Sequence, residues 1–390
     1  MGGLPQPAGG GRVPPDGTRQ AIAAFPPARY FHQDESPKSK VWPGNSTLCG
    51  KQRVMMFFRA VLIRLITTAI TLTGVAVIVF FVIRVVPGNP IAMMLPPGAT
   101  EADVARLTAL YGLDKSIPQQ FVIWGAGVLQ GDFGTSITAR QPVLDLVLGR
   151  LPATLELSVL ALIIAVAMGG FMALTGTRLR GRRTEAAIDV TNGMALAIPD
   201  FLWGLILMLA FGVLIPIFHI SGRVTPSLDL PFTSDFYLFE AIIRLRFDLL
   251  ADLLAHMILP AVALAIPLAA IIAQLLKQSL KETMHLDYVT LARTKGYSEA
   301  HVIWHEALPN AILPTLTLVG VQFTFLMGGT VIIERLFSYE GLGNLAIDAV
   351  INRDLPLIQG IVILFAAIFT AVNLLVDLSY TALNPRLRHG

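Results

Sequence analysis

The chain has 390 residues, of which 54% are hydrophobic and only 14% are charged, and its mean hydropathy is +0.66. Soluble domains carry about 25% charged residues, so this composition excludes a water-soluble globular protein and predicts one that lies in a lipid bilayer. The formal net charge of +3 is small, and the single cysteine, Cys49, excludes an internal disulfide.

Residues 1–56 are rich in glycine, proline and polar residues and show no apolar periodicity. Such a composition predicts a disordered N-terminal extension. Residues 44–52 are similar to a phosphate-binding loop. However, they have one residue too many between the glycines, and Gln52 stands where Ser or Thr would hold magnesium. We therefore predict no nucleotide site in this segment.

Six long apolar segments predict six transmembrane helices, because roughly 20 apolar residues cross the hydrocarbon core. They cover residues 62–86, 155–174, 188–218, 258–276, 312–333 and 357–378. The third segment is long enough to be tilted or broken, and Pro199 predicts a kink in it. A polar stretch, 219–255, joins the third and fourth spans, and residues 334–356 form a predicted turn before the last span. The predicted fold class is an all-α membrane protein.

Residues 91–151, between the first two spans, are amphipathic and too polar to cross a membrane. Thr100 is typical of a helix N-cap, and the helix that it begins is predicted to end at Gly112. Pro118 and Pro142 open two further predicted helices, because proline is favoured in a first helical turn. The segment is therefore predicted to be helical and not to cross the membrane.

Basic residues collect on one side of the six predicted spans. They occur before the first span, after the second, around the fourth loop and at the C-terminus, with the densest cluster at 178–183. Lys and Arg in short loops mark the cytoplasmic side. This distribution predicts that both termini and the loop at 279–311 are cytoplasmic.

Four polar side chains fall inside or near the predicted spans: Asn192, Asp200, Gln322 and Thr324. Polar groups at membrane depth face the bundle interior or an aqueous path. We therefore predict these residues as candidates to line a translocation path. For Asp200 a second interpretation is that it caps the half-helix that follows the predicted kink.

The stretch 287–314, most of which belongs to the loop at 279–311, is a long polar interruption between the fourth and fifth apolar segments. Gly296 predicts a sharp turn, and Ser298 is typical of the N-cap of a following helix. That helix carries Val302, Ile303 and Trp304 on an apolar flank and His301, His305 and Glu306 on a polar flank. The pattern predicts a helix-turn-helix at the membrane surface, with a size suited to binding a partner.

One histidine pair in this loop has the spacing of a metal site. His301 and His305 lie four residues apart and share a helix face, as zinc ligands do, but no glutamate stands in the HExxH position and no third ligand is near. We predict solvated docking residues there and no metal site. The chain has no Walker A motif, nucleophile elbow or paired carboxylates, so we predict that it is not an enzyme.

The same loop carries a resemblance to a known family. Ala292, Gly296, Leu308 and Pro309 have the spacing of the "EAA" loop of binding-protein-dependent ABC transporter permeases. The runs 292–296 and 307–311 are similar to the peptide/nickel branch, although Thr290 and Leu291 replace two residues of the general motif. The similarity covers residues 57–386 and leaves a short tail at 387–390.

This resemblance implies a fold, a site and a mechanism. The fold is the type I ABC importer permease, with the external cap at 91–151 beneath a solute-binding protein. The alternative for this segment is a packed loop with no contact role. The loop at 279–311 is the coupling helix that docks on an ATPase subunit. Its expected docking residues are Ala292, Arg293, Lys295, Gly296, Ser298, Glu299, Val302, Leu308 and Pro309.

The resemblance also implies partners and a location. These are a second homologous permease subunit, two ABC ATPase subunits, an extracytoplasmic solute-binding protein and the lipid of a bacterial inner membrane, without nucleic acid. This chain is expected to hold no cofactor, because ATP and magnesium bind the ATPase subunits. The expected solute is peptide-like, since the branch imports dipeptides, oligopeptides, glutathione or nickel. The alternative is a self-sufficient secondary transporter, which usually shows an inverted repeat and buried ionisable ligands; the sequence shows no such repeat.

Overall fold

The computed structural model describes residues 46–85, 100–110 and 114–383, and within these ranges all regular structure is helical apart from one isolated bridge between Thr135 and Pro142. The helices are α1 Ser46–Val85, α2 Glu101–Leu110, α3 Ile117–Leu129, α4 Val143–Arg178, α5 Arg183–Ala197, α6 Asp200–Leu214, α7 Tyr237–Ile243, α8 Phe247–Thr283, α9 Asp287–Thr294, α10 Glu299–Leu336, α11 Leu342–Ile351 and α12 Leu355–Leu383. The chain divides into two units, Met1–Phe58 and Arg59–Gly390, and all contacts below belong to the second.

Within the described residues, five helical segments are long and apolar enough to cross a membrane: Leu62–Val82 of α1, α4, α8, α10 and Leu355–Leu375 of α12. The pair α5 and α6 passes the same test when it is taken as one span. This confirms the all-α membrane fold, with six spans if the pair is counted once. The end of the helical bundle at which α9 lies is called the α9 end, and the opposite end, at which α11 lies, is called the α11 end.

The third predicted span is broken rather than kinked, since α5 and α6 meet at an angle of 101°. Ile198, which precedes Pro199, is extended with φ −95° and ψ 123°. A proline disfavours the helical conformation in the residue before it, so helix α5 ends there. Pro199 then occupies the N-cap position of α6. The local chemistry of one dipeptide therefore divides the span into two.

Three predicted boundaries differ from the structure. The helix expected from Pro142 continues into the second span as α4, because Val143 and Val147 are buried against α11 and α12 and hold this first part helical. The predicted turn at 334–356 contains α11, whose buried Leu342 packs in the same cluster. Helix α1 begins at Ser46, inside the segment predicted as disordered, and the stretch 46–56 contains no proline.

Helix α8 is the centre of the bundle and packs against α4, α5, α6, α7 and α10. Its contact with α4 uses small residues spaced four apart, which let two helices approach closely. At the tightest point, a Cβ on Gly169 would lie 2.6 Å from the carbonyl oxygen of Ala269. The α4 residues of this stripe are Ala161, Ala165, Gly169 and Ala173, and the facing α8 residues include Ala261, Ala265 and Ala269.

Candidate functional site

The turn after α9 is a Schellman motif built around Gly296. The amide of Tyr297 donates to the carbonyl of Ala292 at 3.4 Å, and the amide of Gly296 donates to that of Arg293 at 2.9 Å. These are the two hydrogen bonds that define the motif. Gly296 has φ +84°, a left-handed conformation in which a side chain is strained. The predicted sharp turn is confirmed.

The next helix begins at Ser298, as predicted, because the Oγ atom of Ser298 accepts a hydrogen bond from the amide of His301 at 3.3 Å. An ion pair closes the turn from the other side, with the Nε atom of Arg293 3.0 Å from the Oε1 atom of Glu299. Both side chains are well exposed, so the pair contributes about 0–1 kcal/mol. The helix is not a separate surface helix, however. It continues as α10 through a π-helical turn at Val302–Ala307.

The turn is fixed to the bundle by a buried apolar cluster at the α9 end. From the loop, the cluster takes Val289, Ala292, Val302, Ile303, Ala307 and Ala311, with Leu308 partly buried beside them. From the spans it takes Leu276, Leu280 and Met284 at the end of α8 and Ala173 of α4. Each buried aliphatic side chain contributes about 1.5–3 kcal/mol relative to exposure. The turn is therefore packed directly onto the ends of α8 and α10.

The outer surface of this turn is apolar and aromatic. Leu291 is 55% exposed and Trp304 is 56% exposed, and Leu286, Tyr288 and Tyr297 are exposed as well. We call these five residues the loop patch. Trp304 was predicted on the apolar flank with Val302 and Ile303, but only those two are buried. The π-helical turn changes the number of residues per turn, which moves Trp304 out of the helical face that the sequence predicts.

The predicted docking residues divide into two groups. Ala292, Val302 and Leu308 lie in or against the buried cluster, where they hold the turn. The remainder are exposed at the surface: Arg293, Lys295, Gly296, Ser298, Glu299 and Pro309. The sequence missed the exposed residues of the loop patch, apart from Trp304, although their large apolar side chains in a polar loop are a readable signal.

A polar pocket of about 590 Å³ lies beside the turn, between α5 and α8. Lys277 of α8 bridges the Oε1 atom of Glu185 at 2.9 Å and the Oδ1 atom of Asp189 at 2.7 Å, both on α5. Arg293 and Asn192 also line the pocket. The Oδ1 atom of Asn192 is buried without a hydrogen-bond partner among the described residues. This pocket connects the turn with the broken span.

The four candidate path-lining residues have different surroundings. Asp200 is half-buried and lies beside Gly329 of α10, since a Cβ built there would be 3.9 Å from its Oδ2 atom. Its Oδ1 atom accepts a hydrogen bond from the amide of Phe201 at 2.8 Å, next to the start of α6. Thr324 is buried, and its hydroxyl is 3.4 Å from the Oδ1 atom of Asn373. Gln322 is half-buried, and no hydrogen bond within the described part of the chain joins Asn192 to the other three.

At the α11 end, the stretch 219–255 folds over α4 and is held by a buried ion pair. The Nη2 atom of Arg223 lies 2.8 Å from the Oε2 atom of Glu156. The Oε1 atom of Glu156 also accepts the amide of Leu238 at 2.8 Å, and the Arg223 guanidinium sits over the ring of Tyr237 at 3.9 Å. Burial raises the pKa of the nearby Tyr339 hydroxyl above its usual value.

A second contact fixes the loop at 131–136, one of the predicted cap segments. The buried Asp354, which precedes α12, accepts the hydroxyl of Ser136 at 2.6 Å and the amide of Thr138 at 2.9 Å. A further carboxylate, Glu240 of α7, is held in the stretch 219–255. Partial desolvation raises its pKa, but hydrogen bonds from Thr233 and Ser234 outweigh this and lower the pKa to about 2. Both carboxylates therefore organise loops at the α11 end.

The structure brings together three metal-ligand side chains that the sequence analysis did not connect. One ligand atom from each of His219, Asp252 and His256 lies within 4.8 Å of the others. The spacing of Asp252 and His256 places them on one face of α8, which the sequence could have shown. The predicted pair His301 and His305 is stacked with ring centres 4.3 Å apart, but it belongs to no three-residue ligand group among the described residues.

Comparison with known proteins identifies the family. The profile of the family described as "Binding-protein-dependent transport system inner membrane component" matches residues 158–389, and the profile of its N-terminal region matches 56–158. The dipeptide transport system permease protein DppB of Escherichia coli is 37% identical over 82% of this chain and 95% of its own length. The probable peptide ABC transporter permease protein y4tP of Sinorhizobium fredii is 33% identical, over 84% and 99%. The glutathione transport system permease protein GsiC of Salmonella choleraesuis is 34% identical, over 84% and 98%. The chain therefore belongs to the inner-membrane permease components of binding-protein-dependent ABC transport systems.

Proposed function

We propose that this permease forms half of the translocation path of an ATP-driven importer for a peptide-like solute, and that the turn between α9 and α10 binds an ABC ATPase subunit. Family membership supports the importer over the self-sufficient secondary transporter. The solute class follows from the relatives, whose names specify peptides, dipeptides and glutathione, itself a tripeptide. ATP and Mg²⁺ would bind the ATPase subunits rather than this chain.

The observation that carries the docking proposal is the loop patch. Leu291 and Trp304 are large apolar side chains, and they are exposed on a loop whose polar sequence does not suit the bilayer core. Exposed apolar residues with a polar rim mark protein interfaces, and Trp and Tyr are enriched among the few residues that carry most of the binding energy there. Arg293, Lys295 and Glu299 form the exposed polar rim. The patch has the chemistry of a docking surface.

The buried cluster under the loop patch supports a mechanical role. Because Val302 and Ala307 belong to α10 and pack against Leu276 and Leu280 of α8, a force on the turn acts directly on two spans. Closure of the ATPase subunits on ATP would move the turn, and the spans would reopen the path toward a binding protein. Asn192, Asp200, Gln322 and Thr324 remain our candidates to line that path.

The orientation proposal rests on charge. The α9 end carries Arg178, Arg180, Arg182 and Arg183 beside the spans, together with Lys281, Arg293 and Lys295 in the loop. Such a cluster favours the cytoplasmic side, where ATPase subunits would reach the loop patch. The α11 end, with the stretch 219–255, would then face the solute-binding protein. We expect a second, homologous permease to complete the path.

The docking proposal is tested by co-purification from membranes in mild detergent, followed by mass spectrometry. The native chain should retain an ABC ATPase and a second permease. Leu291→Ser and Trp304→Ser should each lower ATPase recovery about 10-fold or more, since loss of an interface hot spot costs about 2 kcal/mol or more. The matched control is Leu129→Ser in α3, because Leu129 is 90% exposed and lies far along the chain from the loop patch.

Two results would overturn the proposal. One is recovery of this chain alone under conditions that preserve a known ABC complex. The other is equal ATPase recovery with the Leu291, Trp304 and Leu129 variants. Gly296→Pro supplies an independent check, because proline cannot adopt φ +84°. We expect this variant to be inserted and folded but defective in ATP-driven uptake, so normal uptake would contradict the coupling role.

A further inference from the structure

A cluster of two histidines and one aspartate lies at the α11 end, away from the loop patch. His219 follows the π-helical end of α6, while Asp252 and His256 lie one turn apart near the beginning of α8. One candidate ligand atom of each residue lies within 4.8 Å of the others. His256 is buried, Asp252 is half-buried and His219 is exposed, so the cluster opens to solvent on one side.

The buried histidine is held in a defined tautomer. Its Nδ1 atom lies 2.9 Å from the backbone carbonyl oxygen of Asp252. A carbonyl oxygen only accepts, so Nδ1 carries the hydrogen and donates it. In the neutral ring the lone pair is then on Nε2, and Nδ1 also lies 3.6 Å from the Oδ2 atom of Asp252. Metal-binding histidines show this arrangement, in which the second ring nitrogen donates to a carbonyl or carboxylate.

The aspartate is also oriented by its surroundings. Thr225 donates its amide to the Oδ2 atom of Asp252 at 2.9 Å and its hydroxyl to the Oδ1 atom at 2.6 Å. Hydrogen bonds of this kind fix the direction of ligating carboxylates. The His219 backbone is tied to the same helix, because its amide donates to the carbonyl of Ala255 at 3.2 Å. Two of the three side chains and the backbone of the third are thus positioned in advance.

The donor set selects the class of ion. Imidazole nitrogens suit zinc and its neighbours in the first transition row, whereas calcium and magnesium prefer sets of oxygen atoms only. Three ligands with bonds of about 2.0–2.2 Å around a tetrahedral ion lie about 3.3–3.6 Å apart. The candidate ligand atoms, which lie within 4.8 Å of one another, must therefore move closer together to bind an ion. The rings of His219 and His256 are stacked, with centres 4.1 Å apart. Because a metal ion binds in the plane of an imidazole ring, the exposed His219 ring must rotate to point a nitrogen at the ion.

We propose that His219, Asp252 and His256 bind one divalent transition-metal ion of the zinc type, with water as the fourth ligand, and that this ion fastens the segment after α6 to α8. The sequence alone predicts no metal site in the chain, and the importer function does not require one. The broken span ends at Leu214 of α6, five residues before His219. Metal binding therefore adds a crosslink between this span and the central helix.

The experiment measures Zn²⁺ binding to the purified transporter complex in lipid nanodiscs, isolated with a tag that contains no histidine. Titration against a competing chelator should show one site for each copy of this chain. His219→Gln should weaken Zn²⁺ binding by at least about 100-fold, and Thr225→Val by about 10-fold, the lower end of the effect of orienting residues. His301→Gln is the matched control, because it removes one ring of the other stacked pair.

Binding that is unchanged in His219→Gln, or lost in His301→Gln, would overturn the proposal, as would the absence of binding above the chelator background. A second readout separates metal binding from folding. Because His219 is exposed, its variant should match the native complex in thermal stability without metal. Zn²⁺ should raise the unfolding temperature of the native complex and leave that of His219→Gln unchanged. An equal rise in both proteins would contradict the site.

Discussion

Two neighbouring glycines of α4 offer a sharp test of how the central pair of helices packs. A Cβ on Gly169 would lie 2.6 Å from the Ala269 carbonyl oxygen and 2.9 Å from the Ile272 side chain, whereas nothing lies within 4 Å of a Cβ on Gly170. Ordinary contacts begin at 3.4 Å, so Gly169→Ala must push α4 and α8 apart by about 0.8 Å at this point. Overpacking of this kind typically costs about 1–3 kcal/mol.

The pair of variants separates packing from helix propensity. Both replacements gain the same propensity term, about 0.5–1 kcal/mol, so Gly170→Ala should be neutral or stabilising. The difference between the two variants should equal the overpacking cost of about 1–3 kcal/mol. The assay is the free energy of unfolding in mixed micelles, measured for both variants under identical conditions. Equal values would refute the close approach of α4 and α8 at Gly169.

Three further predictions concern the two ends of the bundle. Arg223→Met should lower the free energy of unfolding by about 3–5 kcal/mol, because it leaves Glu156 buried without its ion-pair partner. Adding Glu156→Gln should recover most of this loss. An Arg223→Met variant as stable as the native chain would contradict the buried pair. The pKa of Glu240 falls from 4.5 to about 2, so its stabilisation is complete above pH 4.5 and is lost as the pH falls toward 2. Hydrogen exchange at 233–244 should accelerate over that range, because Glu240 holds Thr233 and Ser234. Glu240→Gln should reduce this pH dependence, and a profile identical to that of the native chain would contradict the role of Glu240. Gly296→Ala should destabilise the turn by about 1–2 kcal/mol, because an alanine side chain is strained at the positive φ of this position. Amide hydrogen exchange in the turn should therefore be faster. Gly328→Ala, whose added Cβ would also meet nothing within 4 Å, should not change exchange in the turn, and equal exchange in both variants would refute the strain.

The turn at the α9 end could be predicted because its signals are local. Gly296 and Ser298 make their defining hydrogen bonds to residues within five positions in sequence. The break at Pro199 is also local, but its angle of 101° depends on how α6 packs against α8 and α10. The sequence therefore predicts that the span is interrupted and does not predict how far its second half turns away.

The contacts at the α11 end could not be predicted in this way. Arg223 and Glu156 are 67 residues apart, and His219 meets Asp252 only because the stretch between them folds back on α8. Each side chain taken alone is typical of a solvated loop or a helix end. Their pairing depends on the path of a long connection, and one sequence carries no local signal for that path.

The continuity of α10 has a mechanical consequence. One unbroken helix of 38 residues, about 57 Å at 1.5 Å per residue, joins the Ser298 cap to the buried Glu334. There Glu334 accepts the Thr154 hydroxyl at 2.7 Å and the Asn344 amide at 3.1 Å. Such a helix acts as a lever: a tilt of about 5° about its midpoint displaces each end by about 2.5 Å. A displacement of that size exceeds the tolerance of a hydrogen bond. A movement of the α9 end would therefore break the hydrogen bonds that Glu334 makes at the α11 end.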